Sequence, residues 1–217
     1  MKIGCIIVST LSFKAVDKLN ICINSIAKAA AKENISVYFS ISTNTKNKPE
    51  KIKHRLTQFL QTPSKSGFGS QNNQSINALL EIHPDLDYLL LTNDDAWVEV
   101  DFFQTIKNTS FHKKDVIIPI IYQGDNRKKI NSYGIEIFQS GFATDSTKET
   151  RDTQWGTAAC IIFNINFYKR LVKKFGFFFN PLLFFYYEDV ELGIRSLVLK
   201  PNIIKSKTMK AHHFGSN

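Results

Sequence analysis

Short apolar runs alternate with helical stripes through the first half of the chain. Ile3 to Thr10 has the length and composition of a strand buried on both faces, and it closes on the small hydroxyl residues Ser9-Thr10. Behind it, Leu19, Ile23, Ile26, Ala27 and Ala30 recur at three- and four-residue steps, one stripe of a first helix with Asp17 near its start. Ile35 to Ile41 alternates Val37, Phe39 and Ile41 with Ser36, Tyr38 and Ser40, a second strand closed by Ser42-Thr43-Asn44-Thr45. Pro49 is expected to open a short basic helix through Leu60, because proline is tolerated in the first helical turn. A loop rich in Ser, Gly and Asn, Ser64 to Asn73, leads into a helix striped by Ile76, Leu79, Leu80 and His83 and ended by Pro84-Asp85. Its two glycines, Gly67 and Gly69, hint at a phosphate cradle but complete no known phosphate motif. Tyr88 to Leu91 is the next buried strand, and it stops at Thr92-Asn93-Asp94-Asp95.

Strand, helix, strand, helix, helix, strand is the order of a parallel, doubly wound α/β sheet with right-handed crossovers. Such sheets bind ligands just beyond the carboxyl ends of their strands. Ser9-Thr10, Ser42 to Asn44 and Asn93 to Asp95 would converge on that edge. Two adjacent aspartates placed there can hold a divalent cation, and the cation can hold a diphosphate. A plain turn is the alternative, since Asn and Asp are good turn formers.

The second half is less regular. A short helix is expected over Asp101 to Lys107 and a strand over Val116 to Tyr122. Gln123 to Arg151 is polar and turn-rich, with a small hairpin around Ile130 to Phe138 and no residue that stands out. Trp155-Gly156-Thr157-Ala158-Ala159 leads into a strand over Cys160 to Phe163; small residues there admit either a ligand or tight sheet packing. Phe167 to Phe175 reads as an amphipathic helix with Lys169, Arg170, Lys173 and Lys174 outside. The aromatic run Phe184 to Tyr187 then places Glu188-Asp189 at the edge of a dry pocket, ahead of a helix over Val190 to Leu199. Desolvation and a neighbouring charge raise a carboxylate's pKa, which suits a general base. The helix dipole alone would also favour acids at that position. Arg195 could pair with one of these acids or with phosphate. Near the end stand His212 and His213, either surface residues or metal ligands of a kind that suits Mn²⁺ beside carboxylate.

Composition narrows this picture. At 217 residues, 43% hydrophobic and 22% charged, the chain is expected to be one globular domain, 1–217. The net charge of +9 favours an anionic partner without choosing among nucleotide, nucleic acid and anionic lipid. The aromatics sit in apolar runs rather than among clustered Lys and Arg, which argues against a nucleic-acid-binding module. Cys5, Cys22 and Cys160 lack metal spacing and read as buried, reduced thiols of a cytoplasmic protein. No apolar run is long enough to span a membrane.

Taken in order, these segments resemble the inverting family-2 glycosyltransferases of the GT-A fold, particularly their rhamnosyltransferase-like branch. The segment Gly67-Phe68-Gly69-Ser70-Gln71-Asn72-Asn73-Gln74-Ser75-Ile76 is similar to the family's glycine- and asparagine-rich stretch. Leu89 to Ala96 is similar to its D-x-D metal site, and Tyr187 to Arg195 to its E-D-x-x-L-x-x-R motif. The resemblance implies a GT-A sheet, mostly parallel and Rossmann-like, with helices on both faces and a small antiparallel C-terminal addition. It implies a nucleotide-sugar half, 1–98, and an acceptor half, 99–217. It makes Asp95 and His212 (His213 if the register slips by one) ligands of Mn²⁺ or Mg²⁺. Ser9, Thr10, Asn44, Gly67, Asn73, Asn93 and Asp94 would contact the nucleotide. Asp189 would be the general base with Glu188 beside it, and Trp155, Gly156 and Arg195 would lie on the acceptor side. The donor would be a UDP-, dTDP- or GDP-linked sugar and the acceptor a glycan or lipid-linked saccharide, with nucleic acid excluded. The expected location is cytoplasmic, with peripheral contact at the inner face of an anionic membrane allowed. A nucleotidyltransferase on a similar sheet and a non-catalytic ligand-binding domain are the alternatives.

Overall fold

The apolar runs Ile3 to Val8 and Tyr88 to Leu91 become neighbouring strands at the centre of one large sheet. The computed structural model describes residues 1–107, 111, 114–148 and 154–215. Among them the chain runs β1 (Lys2–Val8), α1 (Phe13–Lys32), β2 (Ser36–Thr43), β3 (Gln58–Gln61), α2 (Phe68–Ile82), β4 (Tyr88–Asn93) and β5 (Ala96–Val98). It continues through β6 (Val116–Gln123), β7 (Asn126–Ser132), β8 (Ile135–Ile137), β9 (Ala143–Asp145), β10 (Cys160–Asn164), α3 (Ile165–Phe175), α4 (Glu188–Ser196) and β11 (Ile203–His213). The sheet order is β3-β2-β1-β4-β10-β6-β11-β5, with β7 paired to β6 and β8–β9 a separate antiparallel pair. The first four strands are parallel. Beyond them β10 runs antiparallel between β4 and β6, and β11 pairs in parallel with β6 and antiparallel with β5. The α/β class and the flanking helices are as expected; the sheet itself is mixed.

Strand periodicity divides the core. Ile3, Cys5, Ile7, Leu90 and Ile117 point to one face and pack with Leu19, Ile23 and Ile26 of α1. Ile6, Leu89, Leu91 and Ile118 point to the other, against Ile76 and Leu79 of α2, Phe167 and Leu171 of α3 and Leu192 of α4. Local chemistry sets the helix ends. Ser12 caps α1 by accepting from Ala15 N at 3.3 Å. Asn164 caps α3 by accepting from Asn166 N at 2.9 Å, and Gly176 ends α3 in the left-handed region at φ 82°. All three cysteines are buried and free, and burial drives each thiol's pKa upward, Cys160 to about 12. No described helix is long and apolar enough to cross a membrane.

Several expected elements come out differently. Only Pro49–Lys51 of the Pro49 to Leu60 segment is helical, as a single 3-10 turn. Gln58–Gln61 instead extends the sheet as β3, whose half-exposed edge position accommodates its polar residues. Asp101 to Lys107 forms successive turns, with Gln104 N on Asp101 O and Ile106 N on Phe103 O. The hairpin expected around Ile130 to Phe138 is split, because β7 returns to β6 while β8 pairs with β9.

Candidate active site

β1, β2 and β4 end side by side, and their last residues floor a cavity of about 970 Å³. Val8, Ser9 and Thr10 follow from β1, Asn44 from β2, and Asn93, Asp94 and Asp95 from β4. Asp94 and Asp95 occupy the two-residue turn between β4 and β5, so the turn and the polar strand end are one object. Asp94 Oδ2 accepts from Ser9 Oγ at 2.6 Å. Burial pushes the Asp94 carboxyl up to about 6, against the opposing pull of that hydroxyl. Asp95 differs. Burial would raise its pKa, but His213 and Lys18 outweigh burial and the net direction is down. Its Oδ1 lies 3.0 Å from His213 Nε2 and its Oδ2 3.6 Å from Lys18 Nζ.

His213 arrives from the end of β11. Its Nδ1 lies 3.3 Å from Asn131 Oδ1, and its Nε2 lies near both Asp95 and Asn93 Nδ2, the latter at 3.2 Å. A hydrogen bond from Nδ1 to Asn131 leaves Nε2 aimed at Asp95, the orientation a ligating imidazole needs. Among the described residues no group of three or more His, Cys, Asp or Glu side chains is arranged to hold a metal ion. Asp95 Oδ1 and His213 Nε2 are nevertheless an adjacent oxygen and nitrogen donor pair, a set that fits Mn²⁺ or Mg²⁺ when a ligand's oxygens supply the rest.

Thr157, Ala158 and Ala159 ahead of β10 and Phe184 to Val190 line the rest of the wall. Asp189 Oδ2 accepts from Ala158 N at 3.2 Å and Oδ1 from Val190 N at 2.9 Å. Burial raises the Asp189 pKa, and these backbone donors with the Thr157 hydroxyl offset part of the rise. Glu188 is 5% exposed and also raised by burial, and its Oε1 has no hydrogen-bond partner among the described residues. Gln71 Oε1, at the same wall, is likewise without one. Asp145, from β9, stands where Asp189 and His213 both act on it; burial is the main cause of its raised pKa. Five carboxylates thus line the cavity, Asp94, Asp95, Asp145, Glu188 and Asp189, and no described Lys or Arg does.

No family model and no curated protein matches the sequence. Solved structures do match its fold. GalNAc-T7 with UDP, GalNAc and Mn²⁺ superposes with a TM-score of 0.67 at 11% identity, over 98% of this chain and 44% of that one. The mannosyltransferase PcManGT from Pyrobaculum calidifontis, in complex with GDP-Man and Mn²⁺, gives 0.56 at 8%, over 99% and 57%. The 4-diphosphocytidyl-2C-methyl-D-erythritol synthase from Anaerococcus prevotii gives 0.53 at 12%, over 97% and 86%. The fold is GT-A. The chain spans about half the length of the first two of these proteins.

Within this GT-A domain the residues singled out from sequence divide into two groups. Ser9, Thr10, Asn44, Gly67, Asn93, Asp94, Asp95, Glu188 and Asp189 line one cavity. His212, Asn73, Trp155, Gly156 and Arg195 do not. His212 is fully buried on the other face of β11, stacked on Trp97 at 3.8 Å with Nδ1 2.8 Å from Gly124 O and Nε2 3.2 Å from Glu99 Oε1. Consecutive strand residues face opposite ways, so one position decides which histidine meets Asp95. Asn73 clamps the Phe179 backbone through both its amide atoms. Trp155 is buried against Gly193 of α4, where any Cβ would stand 2.6 Å from its Cγ, and Gly156 is closed off by Ile118 and Ile161. Both are tightly packed. Arg195 pairs with Glu191 at 2.7 Å, donates to Phe178 O at 2.6 Å and lies over the Phe175 and Phe177 rings. Asp145 and Asn131 are the residues missed, lying in a turn-rich stretch with no pattern to expose them.

Gly67 is the N-cap of α2, so the Gly-rich segment is a helix start rather than a free loop. A Cβ at Gly67 would sit 2.1 Å from the Phe184 carbonyl oxygen, to which Phe68 N donates at 3.1 Å. Gly67→Ala is therefore expected to break this contact and destabilise the protein by about 1–3 kcal/mol, the usual cost of overpacking. A lower urea midpoint at unchanged m-value would show it.

Proposed function

We propose that this chain is a glycosyltransferase that moves a sugar from a nucleotide-diphosphate donor to a hydroxyl of a saccharide acceptor with inversion. The observation that carries the reading is one cavity, at the ends of parallel strands, lined by Asp94, Asp95 and His213 and also by Asp189 and Glu188. UDP in one structure of this fold and GDP-Man in another support the donor class, and Mn²⁺ in both supports a divalent cation. The finer kinship, family 2 and its rhamnosyltransferase-like branch, rests on the order of the motifs.

The cavity's charge argues the same way. A diphosphate entering a site lined by five carboxylates, with Lys18 at Asp95 and no Lys or Arg among the described lining residues, is favoured by a cation between. Asp95 and His213 would hold that cation, with Asp94 beside them. When bound, it would offset the charge that builds on the departing diphosphate. Ser9, Thr10 and Asn44 would contact the nucleotide from the strand ends. Asp189, held by Ala158 N and Val190 N, would take the acceptor hydroxyl's proton as the oxygen attacks the anomeric carbon. The bond to the diphosphate breaks as the new one forms, and a single displacement inverts the centre. The 1–98 and 99–217 halves would meet in this site, since β11 delivers His213 to the donor side.

A thermal-shift panel of UDP, GDP, dTDP and CDP with and without Mn²⁺ tests the proposal. At least one nucleotide is expected to stabilise the protein only when Mn²⁺ is present, by about 2.7 kcal/mol at a hundred times its Kd. No shift with any pair would overturn it. The similarity to the erythritol synthase favours one second reading, a nucleotidyltransferase. That enzyme class consumes a nucleoside triphosphate and releases pyrophosphate, whereas a glycosyltransferase releases a nucleoside diphosphate.

A further inference from the structure

Four consecutive aromatic residues at the cavity are left without apolar cover. Phe184, Phe185, Tyr186 and Tyr187 are 59%, 61%, 75% and 46% exposed, and all four line the cavity that holds Asp189. Their backbone is not loose. Phe184 O accepts from Phe68 N, and the missing Cβ of Gly67 lets the two segments touch. Tyr186 and Tyr187 both adopt left-handed backbone, at φ 70° and 66°, an unusual conformation for residues with bulky side chains. Tyr187 is the N-cap of α4, so the strained pair leads directly into Glu188-Asp189. Strain of this kind persists where the surroundings enforce it, and it gathers at ligand sites. A contiguous apolar patch this exposed also marks an interaction surface.

The charge around the rings chooses the partner. The carboxylates of Asp145, Glu188 and Asp189 line the same end of the cavity, with no described Lys or Arg among the lining residues. An anionic headgroup would be repelled there. A neutral polyhydroxyl ring fits, because its C–H face stacks on the electron-rich face of an aromatic while its hydroxyls donate to carboxylates. Glu188 and Gln71, which also line the cavity, each carry a buried oxygen without a hydrogen-bond partner among the described residues. We propose that Phe184 to Tyr187 form a stacking subsite for a neutral pyranose unit. That this unit belongs to the acceptor rests on the glycosyltransferase reading; that it binds does not.

Saturation-transfer NMR on the full chain tests this with four probes: the methyl pyranosides of glucose, galactose, mannose and rhamnose. At least one is expected to receive saturation on the C–H protons of one ring face. That signal should be lost in Phe185→Ala and Tyr186→Ala and kept in Tyr186→Trp. Near-ultraviolet circular dichroism would establish that the variants fold. Absence of saturation with all four glycosides would overturn the proposal, as would signals that persist in both alanine variants. Ring-dependent sedimentation with phosphatidylglycerol vesicles, in place of glycoside binding, would overturn it in favour of a membrane contact. The Mn²⁺-nucleotide shift is measured on the same samples. Glycoside binding without any nucleotide shift would end the transferase reading and leave the subsite standing, and the reverse result would do the opposite.

Discussion

Asp189→Asn is expected to lose transfer activity by about 10²–10⁴-fold in kcat while retaining the Mn²⁺-dependent nucleotide shift. The amide keeps the size of the carboxylate and can still accept from Ala158 N or Val190 N, so the α4 start should hold its place. What it loses is the capacity to take a proton. Steady-state rates at saturating donor and acceptor decide the matter, and an unchanged kcat would remove Asp189 from the mechanism. The pH dependence carries a sign. A base works when deprotonated, so kcat/KM should rise with pH, and burial places that rise above the ordinary 3.8 of an aspartate. Glu188→Gln separates the neighbours: if Asp189 is the base, the acid limb of the profile survives this change.

Asp95→Ala should abolish the Mn²⁺-dependent part of nucleotide binding. Loss of a residue that only orients a metal ligand costs about 10–100-fold in metal affinity, and loss of a ligand should cost more. His213→Ala is expected to do the same. His212→Ala is the informative control, because that side chain is stacked under Trp97 and hydrogen-bonded to Gly124 O, away from the cavity. It should lower stability by about 1–3 kcal/mol, from the polar partners left buried and unpaired, and leave the nucleotide response intact. Titration of Mn²⁺ against nucleotide binding in the three variants reads all of this at once. A His212→Ala protein that folds but has lost the metal response would reverse the assignment.

The parts legible in the sequence are those whose side chains answer to one strong constraint. Tyr88 to Leu91 has the length and composition of a strand buried on both faces, and β4 forms there with Asn93 at its carboxyl end. β3 and β11 were harder for the opposite reason. Gln58–Gln61 lies at the sheet edge with half-exposed side chains, and Ile203–His213 carries lysines along its length, so neither shows an apolar run. Which histidine stands beside Asp95 is a question of parity, since His212 and His213 point to opposite faces of the sheet, and composition does not carry it. Arg195 and Asn73 belong to the motif-bearing segments and contact the backbone of Phe178 and Phe179, while Trp155, outside those segments, packs on Gly193 of α4. Spacing marks such residues without telling support from contact. Asp145 gave no signal because it reaches the cavity only through the β8–β9 pairing, which no local pattern announces.

The place of β11 has a consequence for how the protein comes into being. It is made after every other described element, yet it inserts between β6 and β5, inside the sheet rather than at its margin. Until it does, β5 has no strand neighbour and Asp95 has no His213. The pairing of β11 with β5, Ala211 against Val98, joins residues far apart in sequence, a kind of contact whose loop closure slows folding. If His213 holds the cation as proposed, a chain stopped before His213 should lack the Mn²⁺-dependent nucleotide shift.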